Sequence, residues 1–272
     1  MKDTSYYKTV NKDGKRFFTK IKDANTDLRS FIFQTYLNNN LTDSFKICKP
    51  TKITSKGEDW HLSYEYLPET DWHINENTAR KLGEYTAILH NFCAEHSSKF
   101  NLPIKHRVIA MGHWEEVEDG PIKDEAFEKR AELRKRLGDY DMSNPFIPLH
   151  RDLKLRNIIF DGNTFNLIDF DFAAVDDISI EIGSFIADIF NEHRQLDLIK
   201  NFIKGYKLQS NLNINWSSIM NNYLIYMCCN TFPFYMKDKI SQRDFESLLK
   251  ERNDKLSLIT LFKNSIDEII QG

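Results

Sequence analysis

The stretch LHRDLKLRNIIFDGNTFNLIDFDFA, residues 149–173, decides the fold and contains most of the candidate functional residues. Two of its apolar runs, NIIFD and FNLIDF, are typical of short strands, and Gly162-Asn163 between them is typical of a tight turn. Such a hairpin would bring Asn157 and Asp169 to the same end of paired strands. The polar residues set between the apolar runs are His150, Asp152, Lys154, Asn157, Asp169 and Asp171.

These residue types are the ones that phosphoryl transfer requires. The reaction needs a carboxylate that orients the attacking hydroxyl, and oxygen ligands for a Mg²⁺ ion that bridges the phosphates. Asp152 can fill the first role, and Asn157 and Asp169 can hold the metal. An isolated HxD would most often be a surface turn, but HRDLKLRN, a turn and LIDFD together favour a functional site.

Composition narrows the possible classes of protein. The chain has 272 residues, 41% of them hydrophobic and 28% charged, which fits one large globular domain or two lobes. A net charge of -3 gives no reason to expect a nucleic-acid partner. The polar start MKDTSYYK, the short apolar run at 224–229 and the lack of CxxC pairs predict a cytoplasmic protein without a membrane span or disulfides.

The first 67 residues have the pattern of a small sheet with one helix. SYYKTV and RFFTKI flank the turn sequence NKDG, and FKICKPTKI and WHLSYEYL flank a turn at 55–57, so we expect two hairpins. Between them, residues 27–37 predict a helix that is capped by Asn25-Thr26 and ends at the asparagines 38–40. Its apolar residues at helical spacing are Leu28, Phe31, Ile32 and Leu37.

Helical patterns dominate the rest of the chain. They begin at Asn77, recur at 124–137, are interrupted by short strands near residue 150, and continue to a long final helix over 243–270. We therefore expect a hinge near Leu67-Pro68 between residues 1–67 and residues 68–272. The first part carries 12 Lys and Arg against 8 Asp and Glu, which would suit a bound anion.

At its motifs the sequence resembles the protein-kinase-like superfamily, specifically the aminoglycoside phosphotransferase and choline kinase branch. The resemblance rests on HxDxxxxN, here His150 to Asn157, and on Ile168-Asp169-Phe170 in place of Asp-Phe-Gly. It extends to Leu89-His90, where this branch has a Leu-His pair. It implies an α+β, two-lobed fold, with a small antiparallel-sheet N-terminal lobe that binds nucleotide and a larger, mainly helical C-terminal lobe.

The resemblance also implies a role for each matching residue. It makes Asp152 the catalytic base and gives Mg²⁺ to Asn157 and Asp169. His150 would support the loop, and Lys154 would contact the transferred phosphate. The residues implied for ATP or GTP are the phosphate-binding Lys20 and the hinge Glu65, Tyr66 and Leu67, which would receive the adenine on backbone groups.

The sequence departs from this family in two places. The only glycine before Lys20 is Gly14, which the hairpin turn uses, so we expect a shortened lobe without a glycine-rich loop. The helix after Lys20 lacks the glutamate that would pair with the lysine, which leaves Asp27 or Gln34 as substitutes. Asp171 would be either a third carboxylate at the metal or a cap on the next turn, and Glu181 a structural anchor.

Three classes of function remain: a small-molecule phosphotransferase, a kinase acting on a protein, glycan or lipid, and a catalytically silent binding module. Only nine residues separate Asp171 from Glu181, too few for a peptide-docking activation segment, so the first class is favoured. Acidic residues could attract a cationic acceptor, although helix capping and solvation explain them at least as well. They are the run 115–119 and Asp176, Asp177, Glu181, Asp188 and Glu192.

Overall fold

A computed structural model describes residues 7–12, 15–23, 25–67, 70, 72–104, 135–236 and 242–272. Elements are numbered within these residues. The strands are β1 (Tyr7–Lys12), β2 (Lys15–Asp23), β3 (Lys46–Ile47), β4 (Lys52–Lys56), β5 (Asp59–Glu65), β6 (Phe146–Leu149), β7 (Ile158–Phe160), β8 (Phe165–Leu167) and β9 (Ala174–Asp177). The helices are α1 (Arg29–Asn40), α2 (Glu76–Glu95), α3 (Ile178–His193), α4 (Leu196–Gln209), α5 (Ile219–Met236) and α6 (Gln242–Gln271).

The N-terminal part forms an antiparallel sheet in the order β1-β2-β5-β4, as the two predicted hairpins require. The antiparallel pairing of β2 with β5 places Lys20 opposite Leu62 and Phe17 opposite Glu65. The run 45–53, predicted as one strand, is instead divided around Pro50, which lacks the N–H that a strand interior uses. Its first half, β3, pairs in parallel with β8 because Phe45 and Ile47 are buried in the core beside the helices.

Helix α1 lies where it was predicted, but two details of the prediction were wrong. Its N-cap position is Leu28, without a side-chain cap, while the backbone N–H of Asn25 donates to Asp23. Ile32 is 68% exposed, and Phe33 and Gln34 are buried in its place. Aromatic contacts of Phe33 determine which face of α1 is buried. The Phe33 ring packs edge-on against that of Phe170, with the ring centroids 5.9 Å apart.

The helical part is built around α2, whose first turn has the capping box of Asn75 and Thr78. The long helix predicted at the C-terminus is confirmed as α6. Strand β9, which the sequence pattern did not predict, pairs with β6. None of the described helices is both long and apolar enough to cross a bilayer.

One continuous core joins residues of α1 and β3 to those of the helical part. Phe33, Leu37 and Ile47 belong to it together with Leu167 of β8 and Phe185 of α3. The proposed boundary at Leu67-Pro68 adjoins residues outside the described set and stays a prediction. The acidic run 115–119 and residues 124–134 of the predicted helix also lie outside the described residues.

Candidate functional site

His150 follows β6 and ties the candidate catalytic loop to the candidate metal strand. Its Nε2–H donates to the carbonyl of Ile168 at 2.8 Å, and its Nδ1 accepts the backbone N–H of Asp152 at 3.2 Å. The ring also meets Phe170 edge-on, with centroids 4.3 Å apart. These contacts hold the turn between β6 and β7 against the segment that carries Asp169.

Asp152 is a nearly buried carboxylate surrounded by donors. Lys154 Nζ contacts Oδ1, while Arg156 Nη2 at 3.2 Å and Asn157 Nδ2 at 3.0 Å contact Oδ2. Burial alone would raise the pKa of this carboxyl, but Lys154 and then Arg156 outweigh it and hold the pKa below its ordinary value. Asp152 is therefore negatively charged at neutral pH.

The β7–β8 hairpin brings Asn157 and Asp169 together as predicted, because the N–H of Ile168 donates to the carbonyl of Asn157 at 3.0 Å. Asn157 uses Nδ2 to hold the carbonyl of Asp152 at 2.7 Å. Asp169 has φ +64°, a left-handed conformation that is unfavourable for a non-glycine residue. Strain of this kind collects at functional sites, where surrounding contacts fix it.

Asn157 and Asp169 fit the coordination chemistry of Mg²⁺. This ion usually takes one or two protein oxygens and completes its octahedron with water and phosphate oxygens, so a full protein cage is unnecessary. No cluster of three or more His, Cys, Asp or Glu side chains able to hold a metal occurs among the described residues. Asp169 is one-third exposed, which leaves its carboxylate accessible from the cleft.

Lys20 reaches from β2 to the same carboxylate. Its ammonium donates to Asp169 Oδ1 at 2.8 Å and also contacts Asp171 Oδ2, which Lys22 approaches at 2.5 Å. Burial opposes the charged lysine, but the two aspartates outweigh it and raise the pKa of Lys20 above its ordinary value. Lys20 is therefore not a solvent-facing strand lysine.

The partner expected for Lys20 on α1 is replaced by the aspartates 169 and 171. Asp27 instead pairs with Arg29 at 2.5 Å, and Gln34 donates to the carbonyl of Cys48. Both predicted substitutes were therefore wrong. The reason is that Gln34 is directed to the backbone just after β3, whereas Asp169 and Asp171 lie in contact with the ammonium of Lys20.

The candidate hinge residues lie at the end of β5. The N–H of Tyr66 donates to the carbonyl of Arg16 at 2.9 Å, so this amide belongs to the sheet. Its ring is 43% exposed and faces the guanidinium of Arg16 at 5.7 Å. Glu65 is the last residue of β5 and Leu67 lies just beyond it.

A buried hydrogen-bonded chain supports the catalytic loop from behind. Tyr206 donates its hydroxyl to His90 Nδ1 at 2.7 Å, and His90 Nε2 donates to Glu181 Oε1 at 2.8 Å. The other Glu181 oxygen accepts the backbone N–H of Arg151, which has φ +66°. Glu181 thus has the anchoring role expected of it, and His90 of the Leu89-His90 pair links it to Tyr206.

The acidic residues that follow Asp169 in the sequence mostly bind side-chain and backbone groups of the protein itself. Asp176 lies 3.1 Å from Arg151 Nε in a buried ion pair, and Asp177 caps α3 through the N–H of Ser179 at 2.7 Å. Asp188 accepts the N–H of Leu155 at 2.8 Å. Glu181 is engaged as well. Four of the five acidic residues that follow Asp169 and that could have attracted a cationic acceptor therefore support the loop or a helix instead.

Three contributors to the site were not identified from the sequence: Lys22, Arg156 and the pair Arg151–Asp176. Lys22 could have been found, since residues two apart on a strand share a face and Lys20 had already been singled out. Arg156 could also have been found, since it lies only four positions after Asp152, whereas nothing local in the sequence marks the contact between Arg151 and Asp176. Arg151 meets Asp176 only because β9 lies beside β6.

Comparison with known proteins agrees with this geometry. The sequence profile of the phosphotransferase enzyme family matches residues 29–219. No curated protein sequence matches the chain at a significant level.

Several solved structures share the fold at low sequence identity. An amicoumacin kinase, solved in complex with AMP-PNP, Ca²⁺ and Ami, is 15% identical, with a TM-score of 0.69 over 94% of this chain and 87% of that one. A microcompartment-associated aminopropanol kinase is 13% identical, with a TM-score of 0.64 over 98% and 95%. The choline kinase LicA from Streptococcus pneumoniae is 14% identical, with a TM-score of 0.62 over 92% and 89%.

These matches confirm the protein-kinase-like fold and the branch that the motifs resembled. The profile covers α1, the β7–β8 hairpin, the candidate catalytic loop and the anchor Glu181. The chain therefore belongs to the phosphotransferase enzyme family.

Proposed function

We propose that this protein transfers the γ-phosphate of ATP or GTP to a hydroxyl group of a small molecule, with Mg²⁺ as cofactor. The observation that carries the proposal is the meeting of Lys20 and Asp169, at 2.8 Å, beside the loop that holds Asp152 and Asn157. A phosphate-binding cation, two oxygen ligands and a charged base are the parts that phosphoryl transfer requires. The family membership supports the same reaction type.

In this proposal Asp152 orients the acceptor hydroxyl. The hydroxyl oxygen forms the new bond to the γ-phosphorus, and the bond to the β,γ-bridging oxygen breaks with its electron pair leaving on the nucleoside diphosphate. The hydroxyl proton moves to the Asp152 carboxylate. Because the pKa of Asp152 is below its ordinary value, its main contribution is orientation, and it takes the proton after bond formation has made the hydroxyl acidic.

Asn157 and Asp169 would hold Mg²⁺, which neutralises charge on the phosphates. Lys154 and Arg156, both in contact with Asp152, supply positive charge next to the attacking oxygen. Lys20, whose ammonium donates to Asp169 at 2.8 Å, would also bind the nucleotide phosphates. Most of the rate would then come from positioning and electrostatic stabilisation.

The nucleotide base would bind at the end of β5. Since the N–H of Tyr66 is bonded within the sheet, Glu65 and Leu67 are the residues whose backbone groups would receive the adenine. The exposed Tyr66 ring would border this position.

A small acceptor is favoured over a peptide because the chain between Asp171 and Glu181 is short and structured. It consists of the end of one turn, β9 and the start of α3, and it leaves no segment for docking a peptide. The similar structures named above act on amicoumacin, an amino alcohol and choline. Four of the five carboxylates that follow Asp169 are engaged in structural contacts, so they provide little basis for choosing a cationic acceptor over a neutral one.

The proposal is tested by incubating the purified protein with Mg²⁺ and ATP or GTP against a panel of hydroxyl compounds, including amino alcohols, aminoglycosides and neutral sugars. Transfer should be detected for at least one small acceptor by release of nucleoside diphosphate and by the mass of the phosphorylated product. Nucleotide binding without transfer to any class of acceptor would favour the silent binding module. Labelling of protein, glycan or lipid alone would favour the second class.

Asp152→Asn should lower kcat by about 10²- to 10⁴-fold while the nucleotide Kd changes by no more than about twofold. The asparagine amide has nearly the size of the carboxylate, but it cannot accept the proton of the acceptor hydroxyl and carries no negative charge to attract that proton. Asp139→Asn, at an exposed aspartate, is the matched control and should retain activity. Unchanged turnover in the Asp152 variant would contradict the role proposed here.

A further inference from the structure

Lys22 lies beside the candidate nucleotide site with no role assigned to it so far. It follows Lys20 by two positions on β2, so both side chains emerge on the same face of the sheet. Both are buried, with 6% and 8% of the side chain exposed for Lys20 and Lys22. Lysines are rarely buried unless a partner of opposite charge holds them.

The partner is Asp171, whose Oδ2 contacts both ammonium groups. Lys20 also holds Asp169, so the cluster has two ammonium groups and two carboxylates and is neutral as a whole. When Mg²⁺ takes Asp169, a single carboxylate remains for two adjacent ammonium groups. Two like charges next to each other are unfavourable, and a bound polyanion relieves this repulsion.

The register of β2 and β5 gives the direction in which the second ammonium extends the site. Phe17 lies opposite Glu65 at the hinge, Lys20 opposite Leu62, and Lys22 opposite Trp60. Moving from the hinge along β2 therefore leads first to Lys20 and then, about 7 Å farther, to Lys22. A nucleotide with its base at the hinge and its phosphates extended along β2 would meet the two lysines in this order.

A second cation has a physical purpose in this chain. Nests of backbone N–H groups commonly cradle phosphates, and glycine-rich loops provide them. Here the sequence printed before Lys20 has a single glycine, Gly14. An ammonium farther along the strand can supply donors that such a loop would otherwise give.

We propose that Lys22 is a second phosphate-binding lysine, which contacts the phosphates farthest from the base while Lys20 contacts those nearer to it. Asp171 is then the positioning residue that holds both ammonium groups in the cleft before the nucleotide arrives. This inference rests on the proposed function, because it assigns a residue to the nucleotide of that reaction.

The experiment measures the affinities of nucleoside mono-, di- and triphosphate for the whole protein by calorimetry in the presence of Mg²⁺. Lys22→Met should weaken triphosphate binding by about tenfold or more, weaken diphosphate binding less, and leave monophosphate binding within about twofold. Lys52→Met, at an exposed lysine on β4 of the same sheet, should leave all three affinities unchanged. Thermal unfolding of each variant confirms that it is folded.

A second variant separates phosphate binding from simple neutralisation of Asp171. Lys22→Met combined with Asp171→Asn removes both charges, so no carboxylate lacks its partner. Because Lys22 is absent from it as well, the double variant should bind triphosphate only slightly more tightly than diphosphate, like Lys22→Met alone. Recovery of wild-type triphosphate affinity would mean that Lys22 only neutralises Asp171, and would overturn the proposal.

Two further outcomes of the binding measurements would overturn the inference about Lys22. An equal loss of affinity for all three nucleotides in Lys22→Met would indicate a structural role and overturn the inference alone. A wild-type protein that binds none of the three would overturn the proposed function and this inference together.

Discussion

Asp152 and Asp188 lie near one another in the structure, but their surroundings shift their pKa values in opposite directions. For Asp152 burial would raise the pKa, but Lys154 and Arg156 together outweigh it and lower the pKa. For Asp188 burial is the larger effect, and the N–H of Leu155 together with Lys154 does not offset it, so the pKa is raised. The site therefore keeps one carboxylate readily charged while a second carries an electrostatic cost in the folded protein.

Asp188→Asn should make the protein more stable relative to wild type at pH 8 than at pH 4. The raised pKa of Asp188 means that its contribution to stability is full below the unfolded-state pKa, about 3.9, and is lost as pH rises through the folded-state value. The asparagine oxygen still accepts the N–H of Leu155 but carries no charge to bury. Urea unfolding across this range should give a difference, variant minus wild type, that increases with pH.

The matched control has the opposite sign. Asp141 has its pKa lowered by the N–H of Ser143, so its contribution is present above the unfolded-state pKa and is lost as pH falls. For Asp141→Asn the difference between variant and wild type should therefore become less favourable as pH rises. A pH-independent difference for Asp188→Asn would contradict its assigned role.

Among the elements, the contact between α2 and α4 sets the geometry behind the catalytic loop. A Cβ atom at Gly205 would lie 2.0 Å from the carbonyl oxygen of Arg80, and one at Gly83 would lie 2.0 Å from that of Phe202. The two helix backbones touch because neither position has a side chain. This approach places Tyr206 of α4 within hydrogen-bonding distance of His90 on α2.

Gly205→Ala should lower the free energy of unfolding by about 1–3 kcal/mol or more, because the added methyl group forces the helices apart. At about 2–4 °C for each kcal/mol, thermal unfolding should show a clear decrease in Tm. Asn77→Ala, an exposed position on α2, should change stability by no more than about 0.5 kcal/mol. Equal Tm values for the two variants would show that the helices can separate without cost.

In the molecule as a whole, the N-terminal part and the helical part meet through Lys20 and Asp169, through β3 pairing with β8, and through one core shared by α1, β3 and the helical part. Ligands that bind where the two parts meet stabilise the folded protein by mass action, by about 2.7 kcal/mol at a hundred times Kd. Nucleotide binding should therefore be visible in the thermal stability of the entire chain.

Asp169→Ala should remove the part of this stabilisation that depends on Mg²⁺, since the ion loses its only proposed carboxylate ligand. Wild type should show a higher Tm with nucleotide and Mg²⁺ than with nucleotide and EDTA, whereas the variant should show no such difference. Asp139→Ala, at an exposed aspartate, should behave as wild type. A Mg²⁺-dependent shift of equal size in the Asp169 variant would exclude this carboxylate as a metal ligand.

The sequence by itself determined the fold class and the family, and it located the candidate catalytic segment. This was possible because HRDLKLRN and LIDFD lie within 25 residues and are joined by one hairpin, so their meeting depends on local turn chemistry and strand pairing. The apolar spacing likewise placed most of the described helices, although the predicted cap at Asn25-Thr26 was wrong. Ile32 shows the limit of such patterns, since several faces of α1 are apolar and only contact with Phe170 selects the one that is buried.

Only the tertiary structure decided which charges meet. Lys20 and Asp171 are separated by 151 positions in the chain, and His90 and Glu181 by 91, so no local pattern pairs them. The same holds for the acidic residues after the metal segment, whose carboxylates are taken by Arg151, by helix N–H groups and by Leu155. The energy of a charge depends on burial and on its nearest partners, and both are set by elements that are distant in sequence but packed together in the fold.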